Sequence, residues 1–410
     1  MFQFVINRAV KYIIILGDGM ADEPIPELGN KTPIQYADTP NFDHLAKIGC
    51  SGMLDTIPEG FHPGSEIANL SVLGYDLNKV FEGRGVLEAA SIGVNILPGE
   101  MAMRCNLVCI EDGKIKNHSA GHISNEEAGE LVRYLDKHLG NDRFHLFQGV
   151  SYRNLLKMKN ADKRLDCKPP HDIMGCEYKE MMIRPEIQEA AETADYLNNL
   201  ILRSQELLKN HPVNLKRIAA GKDPANSIWP WSPGYKPEMK TMPEIYPIRS
   251  GAVISAVDLI NGIGVYAGLE IISVEGATGL YDTNYEGKAR AALNALKKHD
   301  FVYLHVEASD EAGHEGDAAL KVKTIENLDK RIVKTILEET MREPVAIALL
   351  PDHPTPCRIK THTNAPVPFI IYKPGVAPDE VEKYDEFASE KGKYGLLKGN
   401  EFIKEFLNTE

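Results

Sequence analysis

Three aspartates in this chain stand soon after apolar runs of strand length. Asp18 follows residues 12–16, Asp310 follows 301–306 and Asp352 follows 345–350. In open α/β sheets ligands bind beyond the carboxyl ends of the strands, so these carboxylates are expected to converge. Each has further donors beside it. Asp310 and His314 are four residues apart, which makes them neighbours if the segment is helical. His353 adjoins Asp352, and His362 lies shortly before another apolar run at 367–372. A single Asp in such a place is ordinarily a turn former or helix cap, and a single His is ordinarily structural. Six donors at three strand ends favour metal binding instead. Mixed carboxylate and imidazole sets suit Mn²⁺ or Zn²⁺, and carboxylate-rich ones also take Mg²⁺. Six donors are enough for two ions and more than one needs. A pair of ions is the usual device for an in-line displacement at phosphorus.

Such chemistry needs an acceptor, and Gly64-Ser65-Glu66 precedes what reads as a helix beginning near Ile67. A helix N-terminus favours the negative charge of an alkoxide or a phosphoserine, and metal coordination would activate the hydroxyl further. The competing reading is that Ser65 only caps the helix, with Glu66 at the positive end of its dipole. On local sequence alone the cap is favoured.

The elements that must position these residues read as α/β. The strand-like runs at 12–16, 301–306, 345–350 and 367–372 alternate with helical periodicities. Val322, Ile325, Leu328, Ile332, Val333 and Ile336 mark one long amphipathic helix. Ser124 and Glu127 form a capping box, and Pro185 is expected in the first turn of a helix carrying Leu197, Leu200, Ile201, Leu207 and Leu208. Runs that are apolar throughout predict a buried, mostly parallel sheet. Residues 162–248 differ: they are proline-rich and irregular, as expected of a second domain inserted into the core.

Bulk properties narrow the function. A chain of 410 residues with 43% hydrophobic content can bury a large core, and its net charge of −13 argues against nucleic-acid or membrane-surface partners. There is no apolar stretch long enough to span a bilayer, no secretory signal is expected, and six cysteines do not make a disulfide framework. The expected compartment is the cytoplasm. Cys105 and Cys109 with His118 and His122 imitate a zinc-finger spacing, but residues 103–110 alternate like a strand. That would hold the two sulfurs about 13 Å apart, too far for one tetrahedral ion.

The chain resembles the archaeal-type, cofactor-independent phosphoglycerate mutases of the alkaline phosphatase superfamily. The likeness runs through Gly17-Asp18-Gly19, Lys31-Thr32-Pro33, Thr39-Pro40-Asn41-Phe42-Asp43, Gly64-Ser65-Glu66, Pro169-Pro170-His171-Asp172, Gly276-Ala277-Thr278-Gly279, Asp282-Thr283-Asn284-Tyr285, Asp310-Glu311-Ala312-Gly313-His314, Asp352-His353 and Pro366-Val367-Pro368. It implies an alkaline-phosphatase-like core at 1–81 and 246–410, interrupted by a smaller α/β substrate-binding domain at 82–245 that closes over it. It implies one divalent ion on Asp18, Ser65, Asp352 and His353, and another on Asp310, His314 and His362. Mn²⁺ or Mg²⁺ is the first expectation, Zn²⁺ or Co²⁺ the second. The implied activity is the glycolytic interconversion of 3- and 2-phosphoglycerate through a phosphoserine at Ser65, without 2,3-bisphosphoglycerate.

Substrate-binding candidates are Arg84, His118, Arg153 and Arg249, since guanidinium forks suit carboxylate and phosphate. His171 or Asp172 is the candidate proton shuttle. Two stretches depart from the mutase pattern. Asn117-His118-Ser119-Ala120-Gly121-His122 replaces an arginine-rich run, and Trp229-Pro230-Trp231-Ser232-Pro233-Gly234 replaces W-x-W-G-Q-G. Both lie in the insert. They keep two alternatives open: a phosphotransferase for another small hydroxy acid, of the homoserine kinase kind but without a G-x-x-x-x-G-K-[ST] loop, and a metal-dependent phosphatase.

Overall fold

The computed structural model describes residues 10–408. The chain forms two compact units, one of Met1–Phe81 with Met239–Glu410 and the other of Glu82–Glu238. No helix among the described residues is long and apolar enough to cross a membrane.

The first unit is built on eight strands: β1 (Lys11–Gly17), β2 (Cys50–Asp55), β3 (Gly251–Ile254), β4 (Glu270–Ile271), β5 (Phe301–Val306), β6 (Val345–Leu350), β7 (Val367–Tyr372) and β8 (Leu396–Lys398). They lie in the order β4-β3-β5-β1-β6-β7-β2-β8. Only β7 runs against the rest, pairing antiparallel with β6 and β2. The central strand β1 is parallel to both β5 and β6. Asp18, Asp310 and Asp352 therefore emerge at one end of three adjacent strands.

Side chains alternate across a strand, and β5 uses both faces. Val302, Leu304 and Val306 join a core with Ile13, Ile15, Ile347 and Leu349 of β1 and β6, packed against Phe42, Leu45, Tyr285, Ala289, Ile325, Leu328 and Ile332 from helices. Tyr303 and His305 point to the other face and are both buried there. The long helix predicted from Val322 to Ile336 is a continuous run from Ala318 to Thr340, but Leu328–Val333 within it is π-helical. Asp329 sits in that widened stretch, and its buried carboxylate accepts from the backbone N–H groups of Asn41 (3.0 Å) and Phe42 (2.8 Å). It thus satisfies early donors of the helix Pro40–Ile48, whose own Thr39 makes no side-chain cap.

The second unit has a wholly antiparallel five-stranded sheet of Glu100–Glu111, Lys114–Asn117, Phe144–Val150, Arg153–Lys159 and Ser227–Tyr235. Helices Asn125–Leu139 and Ala191–Leu208 contribute to its core. The Ser124–Glu127 capping box is present. Pro185 is not in the first helical turn as expected. It pairs with Leu165 in a two-stranded ladder, where its missing N–H costs little at an edge, and the helix begins at Ala191. Cys105 and Cys109 are buried strand residues, and burial pushes the Cys109 thiol up to about 12.

One buried cation ties much of this unit together. Arg217 donates to Glu127 (2.5 Å), to the Ala120 carbonyl (2.6 Å) and to the Asp223 carbonyl (2.9 Å). Arg217→Leu would leave those acceptors without their donor, at an expected cost of about 3–5 kcal/mol. Urea unfolding measures it, and a loss below about 0.5 kcal/mol, typical of surface changes, would show the network to be dispensable.

Candidate metal centre and nucleophile

The turn after β1 brings Asp18 into the site, and Gly19 makes that turn feasible. Its φ is +60°, and a Cβ there would come within 2.5 Å of the Asp310 carboxylate and 2.6 Å of the Thr355 hydroxyl. Asp310 and His314 lie on the helix Ala308–Glu315, with Asp310 Oδ2 3.1 Å from His314 Nε2. His362, from the irregular segment before β7, completes this group. Its Nε2 is 2.9 Å from His314 Nε2 and 3.4 Å from Asp310 Oδ1. Asp18, Asp352 and His353 form a second group and are fully buried. His353 Nε2 lies 3.6 Å from Asp18 Oδ1 and 3.4 Å from Asp352 Oδ2.

Ser65 is the first residue of the helix Ser65–Val72, with Gly64 at the N-cap and no side-chain cap bond. The capping role favoured on local sequence is therefore not taken. The hydroxyl instead lies 3.2 Å from His353 Nε2.

Four carboxyl groups crowd this buried space. Burial, followed by the charges of Asp352, Glu307 and Asp310, holds Asp18 well above the usual carboxylate range. Burial and Asp310 likewise push Glu307 up to about 8. Asp310 goes the other way: burial opposes its ionisation, but hydrogen bonds with His314 and His362 outweigh it and hold it well below the usual range. The same bond, against the opposing effect of burial, lifts His314 to about 9. One oxygen of Asp18, Oδ1, is buried with no hydrogen-bond partner. An orphaned carboxylate oxygen amid converging imidazoles and carboxylates is what a cation-binding site requires. The residues fit divalent cations.

Several supporting residues were not singled out from sequence. His305 Nε2 lies 2.8 Å from Asp18 Oδ2, and its Nδ1 lies 3.2 Å from the Ser255 hydroxyl. Burial pulls this imidazole down to about 3, so it is neutral. Asp18, His305 and Glu307 lie close enough together to form a third potential ligand cluster. Thr355 spans the two main groups, donating to Asp310 (2.5 Å) and lying 3.2 Å from His353 Nδ1. Lys321, fully buried, donates to the Ala21 and Thr355 carbonyls and to Asp22, lacing the loop after β1 to the loop after β6. A His inside the apolar run 301–306 was the one visible signal; Thr355 and Lys321 gave none.

In the second unit Arg84, Arg153, His118 and His171 gather around a residue the sequence reading passed over. The Arg104 guanidinium stacks 4.4 Å over the Trp231 ring, with Glu88 3.1 Å away. His171 packs edge-on against Trp231 (5.5 Å) and faces His118 (6.2 Å), which in turn packs against Tyr152 (5.7 Å). Burial, and the nearby charges of Arg84 and Arg153, weaken the hold of Arg104 on its proton. Three guanidinium groups thus lie near one another, with Glu88 as the counter-charge to Arg104. Asp172 lies 3.6 Å from His171. A charged residue inside an otherwise apolar strand was the available signal for Arg104.

Arg249 lies in the first unit. It precedes β3 and makes a bidentate pair with Asp300 at the start of β5, with 83% of its side chain exposed. The metal groups lie at the other end of the sheet, about 20 Å away along β5. The guanidinium fork that suggested a substrate role is instead used on Asp300, at the amino end of the sheet.

A mainly parallel sheet that collects buried carboxylates and imidazoles at its carboxyl edge defines an α/β protein with residue groups able to hold metal ions. A family model described as 2,3-bisphosphoglycerate-independent phosphoglycerate mutase matches residues 46–214. The Methanosarcina acetivorans protein of that name is 50% identical over 398 residues, 96% of this chain and 98% of its own. The Thermococcus kodakarensis protein of the same name is 38% identical, over 96% of this chain and 95% of its own. Among solved structures, a Pyrococcus horikoshii protein aligns with a TM-score of 0.84 at 31% identity, covering 97% of each chain. The cofactor-independent phosphoglycerate mutase of Thermoplasma acidophilum aligns at 0.69 and 26%, covering 98% of this chain and 99% of its own. The chain belongs to the 2,3-bisphosphoglycerate-independent phosphoglycerate mutase family, and is an isomerase.

Proposed function

We propose that this enzyme interconverts 3-phosphoglycerate and 2-phosphoglycerate through a phosphoserine at Ser65, with no requirement for 2,3-bisphosphoglycerate. The observation that carries the reading is the hydroxyl of Ser65, released from capping and directed to His353 within the metal-type cluster. Asp18, Ser65, Asp352 and His353 would hold one divalent ion, and Asp310, His314 and His362 the other. Such ions, when bound, lower the pKa of the serine hydroxyl and neutralise the phosphoryl oxygens.

In the first transfer the Ser65 oxygen forms a bond to phosphorus as the bond to the glycerate oxygen breaks. The serine proton ends on that departing oxygen. The second transfer reverses this at the neighbouring hydroxyl, regenerating free Ser65. Its position at a helix N-terminus favours the dianion of the intermediate. Arg84, Arg104 and Arg153 suit the carboxylate and phosphate of a small phosphorylated hydroxy acid. Of the two shuttle candidates His171 is favoured, since an imidazole can both accept and return a proton and burial lowers its pKa.

The test is conversion of 3-phosphoglycerate to 2-phosphoglycerate without 2,3-bisphosphoglycerate, across Mn²⁺, Mg²⁺, Co²⁺ and Zn²⁺. Release of inorganic phosphate as the main product, or phosphorylation of homoserine from a nucleotide, would overturn the mutase assignment. Arg104→Met keeps an apolar side chain against Trp231 while removing the guanidinium charge. It is expected to raise KM for phosphoglycerate by about 10–100-fold, the loss of one charge-assisted contact of roughly 1.5–3 kcal/mol. An unchanged KM would take Arg104 out of the anion surface.

A further inference from the structure

Asn69 lies one helical turn beyond Ser65 and is completely buried. A buried amide in a helix interior loses its hydration and gains nothing in helix propensity. Alanine or leucine would be the ordinary occupant. What the amide gains here is three hydrogen bonds. Its nitrogen donates to the Ser65 carbonyl at 2.8 Å and to Asp352 Oδ2 at 2.9 Å. Its oxygen accepts from the Tyr303 hydroxyl at 2.5 Å. The Ser65 carbonyl can only accept, so the nitrogen must face it and the oxygen must face the phenol. The orientation is fixed by chemistry.

We infer that Asn69 is a positioning residue for the nucleophile, with Tyr303 holding its amide in register. The inference rests on the reading of Ser65 as phosphoryl carrier. Asn69 joins the backbone of the nucleophile to a carboxylate of the cluster that faces the hydroxyl. Asp352 is braced independently on its other oxygen by the N–H groups of Gly19 (3.1 Å) and His353 (2.9 Å). The carboxylate is therefore the anchor, and the Ser65 turn is what the amide adjusts. Tyr303 comes from the centre of β5, so the register of the serine is referred to the rigid sheet. The network acts on one step: it places Ser65 Oγ for attack and touches no candidate substrate group.

The experiment combines Asn69→Leu, Tyr303→Phe and the double variant in the Mn²⁺-loaded enzyme. Steady-state kinetics, thermal unfolding and the single-turnover rate of Ser65 labelling by [³²P]3-phosphoglycerate are read together. A small misplacement of a reacting group can cost about 100-fold. Asn69→Leu is expected to slow labelling and kcat by about that factor with KM within threefold of wild type. Tyr303→Phe should slow both by about fivefold, and should cost nothing further when Asn69 is already leucine. Additive losses, or labelling within threefold of wild type in Asn69→Leu, would overturn the proposal. If Asn69→Leu does not fold, Tyr303→Phe decides alone: an unchanged labelling rate overturns it, a slowed one with KM held supports it. Failure of the wild-type enzyme to label Ser65 would overturn the nucleophile reading and this inference together, and is distinguishable from the other outcomes.

Discussion

Ser65→Ala is expected to abolish turnover, lowering kcat by on the order of 10⁴–10⁶-fold, the range seen when a covalent nucleophile is removed. The substitution removes one oxygen at a half-buried position and breaks no helix cap, because the hydroxyl makes none. Stability should therefore be held within about 0.5 kcal/mol. Binding of phosphoglycerate should also survive, since the arginine candidates are elsewhere in the chain. The combination of lost turnover, retained fold and retained binding separates a phosphoryl carrier from a structural serine. Residual activity above about 1% of wild type would leave Ser65 as a helix-start residue only.

Removing divalent metal should have the second largest effect. The chelated protein is expected to lose all mutase activity and to recover it on re-addition of Mn²⁺. Its stability should fall as well. Without cations, burial raises the pKa of Asp18 and Glu307, and Asp310 depends on hydrogen bonds with His314 and His362. An ion present at 100 times its Kd contributes about 2.7 kcal/mol. Loss of two would lower Tm by roughly 10 °C. Calorimetry with and without chelator measures it, and the midpoint should rise with Mn²⁺ concentration. Identical melting curves and undiminished activity after exhaustive chelation would contradict a metal role for these residues.

The strand ends were legible in the sequence because β1, β5 and β6 are buried on both faces and read as unbroken apolar runs. Once three such strands are accepted as parallel, Asp18, Asp310 and Asp352 have to meet. The i, i+4 spacing placed His314 beside Asp310 for the same local reason. What the sequence hid is long-range. Asn69 pairs with Tyr303 across 234 positions, and Thr355 with Asp310 across 45. Nothing in the flanking residues announces either contact. His305 was visible only as a polar residue inside an apolar run, and its partner emerges when β1 is laid alongside. Arg249 shows the converse error. A guanidinium fork suits a carboxylate or phosphate wherever it stands, and only the fold shows that Arg249 uses its fork on Asp300. Pro185 misled because proline serves equally at a helix start and at a sheet edge.

The measurement that bears most directly on the account is acid quench of the Mn²⁺-loaded enzyme after brief exposure to [³²P]3-phosphoglycerate, without 2,3-bisphosphoglycerate, followed by peptide mapping. The account predicts acid-stable label on the peptide containing Ser65, chased into 2-phosphoglycerate by unlabelled substrate. Conversion of substrate with no label on the protein, or with label on an acid-labile histidine, would contradict it.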